Sequence, residues 1–237
     1  MKFNRFGYQR ILGVVLVLVA LTVPSTVFAH DAESDNRVYP PERVVYGMTS
    51  GDWGAALWQW ITSIPLSKNP AVTGTNCLIG QEHGPVFLAP ASLGGSVTMS
   101  CSVPATKAIF ITVLTDECSS VEPAPFHGSN APELRNCSGA GADTLDPNTL
   151  ELSVDGRPVE NLKRFRVQTP AFRFTMPAAD NLFGMSGVTS GLSLLDGYFV
   201  MLRPLSKGQH VIQFGGAFTS GPASGFAAHT TLNLKVE

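Results

Sequence analysis

The chain has 237 residues, 44% of them hydrophobic and 14% charged, with 16 Lys+Arg against 18 Asp+Glu. That apolar content can fill a real core, and the length suits one domain with some elaboration. A slightly acidic chain without a basic stripe lacks the electrostatic footprint for nucleic acid or for anionic lipid.

Residues 1–29 read as a secretory signal. Lys2, Arg5 and Arg10 make a positive start, Ile11 to Leu21 is an unbroken apolar run, and Val27 and Ala29 occupy the positions a signal peptidase inspects. A spanning helix needs roughly 20 apolar residues, and this run is interrupted by Thr22 and Pro24. No later stretch is apolar enough to span, so no membrane span is expected after cleavage. Three of the 16 basic residues and no acidic ones lie in the signal, so the 208-residue remainder carries 13 basic against 18 acidic residues, a net charge of −5.

Residues 30–48 are polar and end in a proline-bearing stretch, which predicts an extended or frayed arm. A helix is predicted over 50–64. Thr49 and Asp52 have the form of a capping box, and Pro65 supplies the stop. Trp53, Leu57, Trp60 and Ile64 fall on one stripe, whereas Trp58 lies about 140° from Trp53. Trp58 is either buried against a second surface or an exposed platform for a glycan or protein partner, and burial is the favoured expectation.

From Val86 onward the period becomes two. Val97, Met99, Cys101 and Val103 alternate with polar or small residues, while Lys107 to Leu114 is apolar on both faces, as in a buried central strand. Leu150, Leu152 and Val154 lead into Asp155-Gly156, a two-residue hairpin signal. Further alternation is centred on Phe165, Phe174, Val200, Ile212 and Leu234. The expected fold is mainly β: an immunoglobulin-like or jelly-roll-like β-sandwich over 49–237, with one N-terminal amphipathic helix. Ser119 to Asn136, with three prolines, reads as a rigid loop. Gly215 to Ala228, rich in glycine and carrying Phe218 and Phe226, reads as a loosely ordered one whose apolar tips can touch a partner.

Cys77, Cys101, Cys118 and Cys137 all lie beyond the signal, which points to disulfides in an oxidising compartment, secreted or periplasmic. Three pairings are open. Cys77–Cys101 with Cys118–Cys137 is favoured, because neighbours in sequence close short loops. A zinc site is disfavoured by the lack of any CxxC spacing.

Several motifs resemble a group of secreted bacterial proteins without characterised activity. They are Trp58-Gln59-Trp60, Ile64-Pro65, Asn69-Pro70, Gly80-Gln81, Gly84-Pro85-Val86-Phe87-Leu88-Ala89, Cys101-Ser102-Val103-Pro104 and Lys107-Ala108-Ile109-Phe110. Asp196-Gly197-Tyr198, Pro204-Leu205 and Gly208-Gln209-His210 extend the likeness to the tail. Leu57 stands where that family often has another tryptophan, and Glu82-His83 is an insertion. The resemblance implies export and a bacterial source, and it carries over no active-site residue.

Catalytic signatures are missing. There is no Gly-x-Ser-x-Gly elbow, no His-Glu-x-x-His and no phosphate-binding loop. Asp116 and Glu117 are adjacent on a strand and so point to opposite faces, which fits a strand end better than an acid–base pair. Asp143, Asp146 and Asn148 read as a turn rather than a calcium loop. His30, exposed by cleavage, could brace copper with His127, His210 or His229, but the residues after it do not resemble such a site. No cofactor is expected. Glu82 and His83, beside apolar Val86-Phe87, join Trp58 as possible binding residues for an unknown ligand or partner. The expected function is a non-catalytic binding or structural module. The alternative is a secreted enzyme of unrecognised mechanism, copper-dependent or polysaccharide-acting.

Overall fold

In the computed structural model, which describes residues 35–237, helix α1 (Ser50–Ser63) starts and stops where its sequence signals lie. The Thr49 hydroxyl accepts the Asp52 N–H at 3.2 Å, and the Asp52 carboxylate accepts the Thr49 N–H at 3.0 Å. Residues 1–29, read from sequence as a signal, and His30 fall outside the described residues. Leu57, Trp60 and Ile64 are buried and Trp53 packs partly buried beside them, which fits the predicted stripe. The helix is also close-packed on another side. A Cβ on Gly54 would stand 3.0 Å from the Phe199 ring, so glycine lets the helix backbone approach the sheet there.

The strands form two mixed five-stranded sheets. In the first, β1 (Val86–Leu88), β3 (Ala108–Ser119), β8 (Ser190–Leu202) and β6 (Arg166–Gln168) follow in that order, with β7 (Phe172–Thr175) also paired to β8. The second runs β2 (Gly95–Val103), β10 (Ala227–Val236), β9 (Gly208–Ala217), β4 (Glu151–Val154) and β5 (Arg157–Pro158). The β1–β3 and β2–β10 pairs are parallel and the others antiparallel. Most of β3 is buried, as its continuous apolar run requires of a central strand. Asp155 and Gly156 take φ of 53° and 73°, the double positive φ of a type I′ hairpin turn. Phe110 and Phe199 of the first sheet stack at 5.8 Å, and they share one apolar core with Phe214 and Leu232 of the second. Two mixed sheets over a common core fit a β-sandwich.

Both disulfides join sequence neighbours, Cys77 to Cys101 and Cys118 to Cys137, with Cα separations of 5.6 and 6.1 Å. Each closes a loop of modest length and contributes about 3 kcal/mol in the loop-entropy account. Among the described residues no helix is long and apolar enough to cross a membrane.

Three segments differ from the sequence reading. The last third of the expected 119–136 loop is instead the start of a second substantial helix, α3 (Ala131–Ala142), and a short helix α2 (Pro70–Thr73) follows α1. Asn130 caps α3 by accepting the Glu133 N–H, and Glu133 accepts the Ser129 N–H. Pro132 sits within its first turn, where a missing N–H costs nothing. Residues 35–48 are tied down rather than frayed: the Tyr39 N–H bonds the Met201 carbonyl, and Val38 and Val45 are buried. The 218–226 loop is ordered by Phe218, which is buried, meets Phe226 edge-on at 6.0 Å, and exchanges backbone bonds with Gly225 and Phe226.

Helix α3 covers the outer face of β3 and β8 at very short range. A Cβ on Gly141 would fall 2.2 Å from Cγ of Asp116. Gly141→Ala should therefore destabilise the fold by about 1–3 kcal/mol, and an unchanged urea midpoint would show that the helix is free to shift.

Candidate functional site

The site begins with an irregularity in β3. Register with β8 shifts between Thr112 and Leu114, a bulge that bends the strand and re-aims its side chains. Beneath it lies a cavity of about 410 Å³ bounded by α1, β3, β9, β10 and the 90–93 and 218–226 loops. This volume is in the range of about 300–1,000 Å³ that small-molecule pockets occupy. Its walls are mainly apolar, with Leu57, Ile61, Leu114, Phe214 and Phe218 among them. Leu93 and Phe226 also line it, yet are 44% and 39% exposed, which marks them as an apolar rim.

The polar end is built by β3 and the turn that follows it. Beyond the bulge Glu117 lies opposite Leu195 and Ser119 opposite Ser193, so these four share one face. The Ser193 hydroxyl donates to Glu117 and the Ser119 hydroxyl donates to Glu122 at 2.9 Å. Glu122 is brought back to the strand by a closed turn in which the Ser119 N–H bonds the Phe126 carbonyl and the Gly128 N–H bonds the Ser119 carbonyl. Both acids line the cavity as neighbours. Withdrawal from water, then the Glu122 carboxylate beside it, push the Glu117 carboxyl well above the usual carboxylate range.

The opposite face of the same strand is also acidic. Asp116 faces Asp196 across the ladder under α3, and burial, with Glu122 and Asp196 adding to it, pushes Asp116 up to about 7. Arg166 bonds Asp196 at 2.9 Å and Asp143 at 2.8 Å, and these contacts hold its guanidinium even more firmly charged. The adjacent acids thus point to opposite faces as expected, but Asp116 is buried in the body of the protein and Glu117 partly so, rather than ending a strand at its surface.

No family model, curated protein or solved structure matches the chain. Its function has to be read from the site.

Of the residues singled out from sequence, Trp58 alone of the possible binding set lines the cavity. It is half-buried, meets Phe183 edge-on at 6.4 Å, and its indole nitrogen has no hydrogen-bond partner among the described residues. Thr112, also in the wall, carries a second buried atom without a partner. Glu82 and His83 lie on an exposed loop outside the cavity. The carbonyls of Gln81, His83 and Gly84 there accept the Lys107 ammonium at 2.7–3.1 Å, which makes that loop a structural clasp. His127 bonds the Glu122 carbonyl and the Ser129 hydroxyl, His210 pairs with Asp155 at 2.7 Å, and His229 pairs with Glu151 at 2.7 Å. Asp146 accepts the Asn148 N–H, a local turn. Among the described residues no three His, Cys, Asp or Glu side chains are placed to hold a metal ion.

Sequence reasoning missed Glu117 with Glu122. The available signal was an acid five residues beyond Asp116-Glu117 at the head of a proline-bearing turn, a geometry that returns the chain to its own strand.

Proposed function

We propose that this chain is an exported, non-catalytic binding protein that takes a small, largely apolar ligand into the cavity beneath β3. The observation that carries the reading is the cavity itself, with its mainly apolar walls, exposed apolar rim and a pair of acids in its lining. Export to the periplasm or beyond is supported by the signal-like residues 1–29, by two disulfides and by the likeness to secreted bacterial proteins. Of the two sandwich types, the immunoglobulin-like one has the better support. The orders β3-β8-β6 and β10-β9-β4 follow the B-E-D and G-F-C orders of that fold, although β1 runs parallel to β3.

A second reading, an acid–base enzyme, is favoured by the Glu117–Glu122 pair, since a carboxyl raised beside a second acid is a common catalytic device. The mainly apolar walls of the cavity suit an apolar ligand better than a sugar, which speaks against the polysaccharide-acting alternative.

Uptake of N-phenyl-1-naphthylamine, a neutral apolar fluorophore, tests the binding reading. One probe per chain should bind with enhanced emission and be displaced by 1-dodecanol. Ala91→Trp, placing a bulky ring in the cavity wall, should weaken uptake about tenfold or more while far-UV circular dichroism stays unchanged. No saturable uptake by the folded wild type would overturn the proposal.

A further inference from the structure

We propose that the cavity selects an amphiphile with a primary ammonium head, an alkyl or arylalkyl amine, whose head lies against Glu117 and Glu122 and whose tail fills the apolar chamber toward Leu93 and Phe226. This rests on the binding reading above and names the ligand class for the same site.

Charge is the first argument. The ionisable side chains on the cavity face of β3 and its turn are acidic, Glu117 and Glu122, and no Lys, Arg or His joins the lining; the Asp116 carboxyl lies on the other face, under α3. Arg166 lies across the sheet and is committed to Asp143 and Asp196, and Lys107, just before β3, is held by three backbone carbonyls. A ligand carboxylate would add a further negative charge to a poorly hydrated acidic end, which is costly in a low dielectric. A ligand hydroxyl would be tolerated without charge complementarity.

Hydrogen-bond geometry is the second. Glu117 already accepts from Ser193 and Glu122 from Ser119, so both carboxyls are held in place on one face. Burial first, and then Glu122 beside it, disfavour the ionised form of Glu117. An ammonium presents three N–H donors and can span both groups. On binding, any proton on Glu117 leaves to solvent, both carboxylates accept from the ammonium, and their mutual repulsion is neutralised. Charge-assisted bonds of this kind are roughly twice as strong as neutral ones.

Shape is the third. Glu117 and Glu122 belong to the β3 side of the chamber, whereas the exposed apolar Leu93 and Phe226 belong to the 90–93 and 218–226 loops. An ammonium held by the acids leaves its tail to the apolar walls.

Calorimetric titration of the full mature protein at neutral pH with dodecylamine, 1-dodecanol and dodecanoate, all below their aggregation concentrations, tests this. The amine should bind about tenfold or more tighter than the alcohol, and dodecanoate weaker than either. Glu122→Gln should bring the amine-to-alcohol affinity ratio to about one. Should that variant fail to fold, the three-ligand series on the wild type decides alone. Equal affinities for amine and alcohol, or tightest binding of dodecanoate, would overturn the ammonium assignment and leave the apolar-cavity reading standing. Binding of none of the three would overturn both.

Discussion

Replacing Trp60 with alanine should destabilise the protein by about 3–5 kcal/mol, the range for truncating a buried large aromatic. Trp60 is 8% exposed on the inner stripe of α1, and its indole N–H donates to the Ile79 carbonyl at 2.7 Å. It thereby joins the helix to the segment that Cys77 anchors to β2 through the first disulfide. Truncation removes the ring contacts and leaves the Ile79 carbonyl without this donor, so two penalties combine. Trp58→Ala, at a half-buried position against Phe183, should cost about 1–2 kcal/mol and should lower naphthylamine uptake as well. Urea unfolding of both variants separates the roles. A Trp60→Ala loss below that of Trp58→Ala would mean that the helix is held mainly by its other faces.

The elements of this fold that depend on local chemistry are legible in the chain. The Thr49–Asp52 capping box, the Asp155-Gly156 turn and the alternation in β2, β7, β9 and β10 each follow from a few adjacent residues. The disulfide pairing is the one that short loops between sequence neighbours favour, among three that spacing leaves open. Helix α3 was hidden because Pro132, Gly139 and Gly141 lower its intrinsic propensity, and only the Asn130–Glu133 cap signals it. Those glycines answer to packing, since Gly141 sits against the Asp116 carboxyl. The cavity was illegible for a different reason. Its wall is assembled from α1, β3, the 90–93 loop and the β9–β10 hairpin, which only tertiary pairing brings together. Parallel pairing of β2 with β10 joins residues more than a hundred positions apart, and no local pattern specifies it. The three tryptophans of α1 thus divide by depth, with Trp60 in the core, Trp53 partly buried beside it and Trp58 at the cavity wall.

The stability of the protein should fall as pH rises from about 4 to about 7, and Asp116→Asn should remove much of that fall. Asp116 is 4% exposed, lies between Asp196 and the backbone of α3 at Gly141, and its nearest sulfur neighbour, Cys118, is tied in a disulfide and has no proton to donate. The folded protein therefore favours the neutral acid, with its titration moved from 3.8 up to about 7. Between those values the folded state binds the more protons, so stability decreases with rising pH, and above about 7 the penalty is complete. The interval corresponds to about 4 kcal/mol. Glu117, also raised, acts in the same direction. So does His210, whose pairing with Asp155 is lost as it deprotonates above its ordinary range. An asparagine keeps the shape of Asp116 without the charge, so the variant should give a shallower profile rather than a flat one. It should be more stable than wild type at pH 8 and similar or less stable at pH 4. Thermal melts of both proteins across that interval measure the difference, and parallel profiles would mean that Asp116 is ionised in the folded protein at neutral pH.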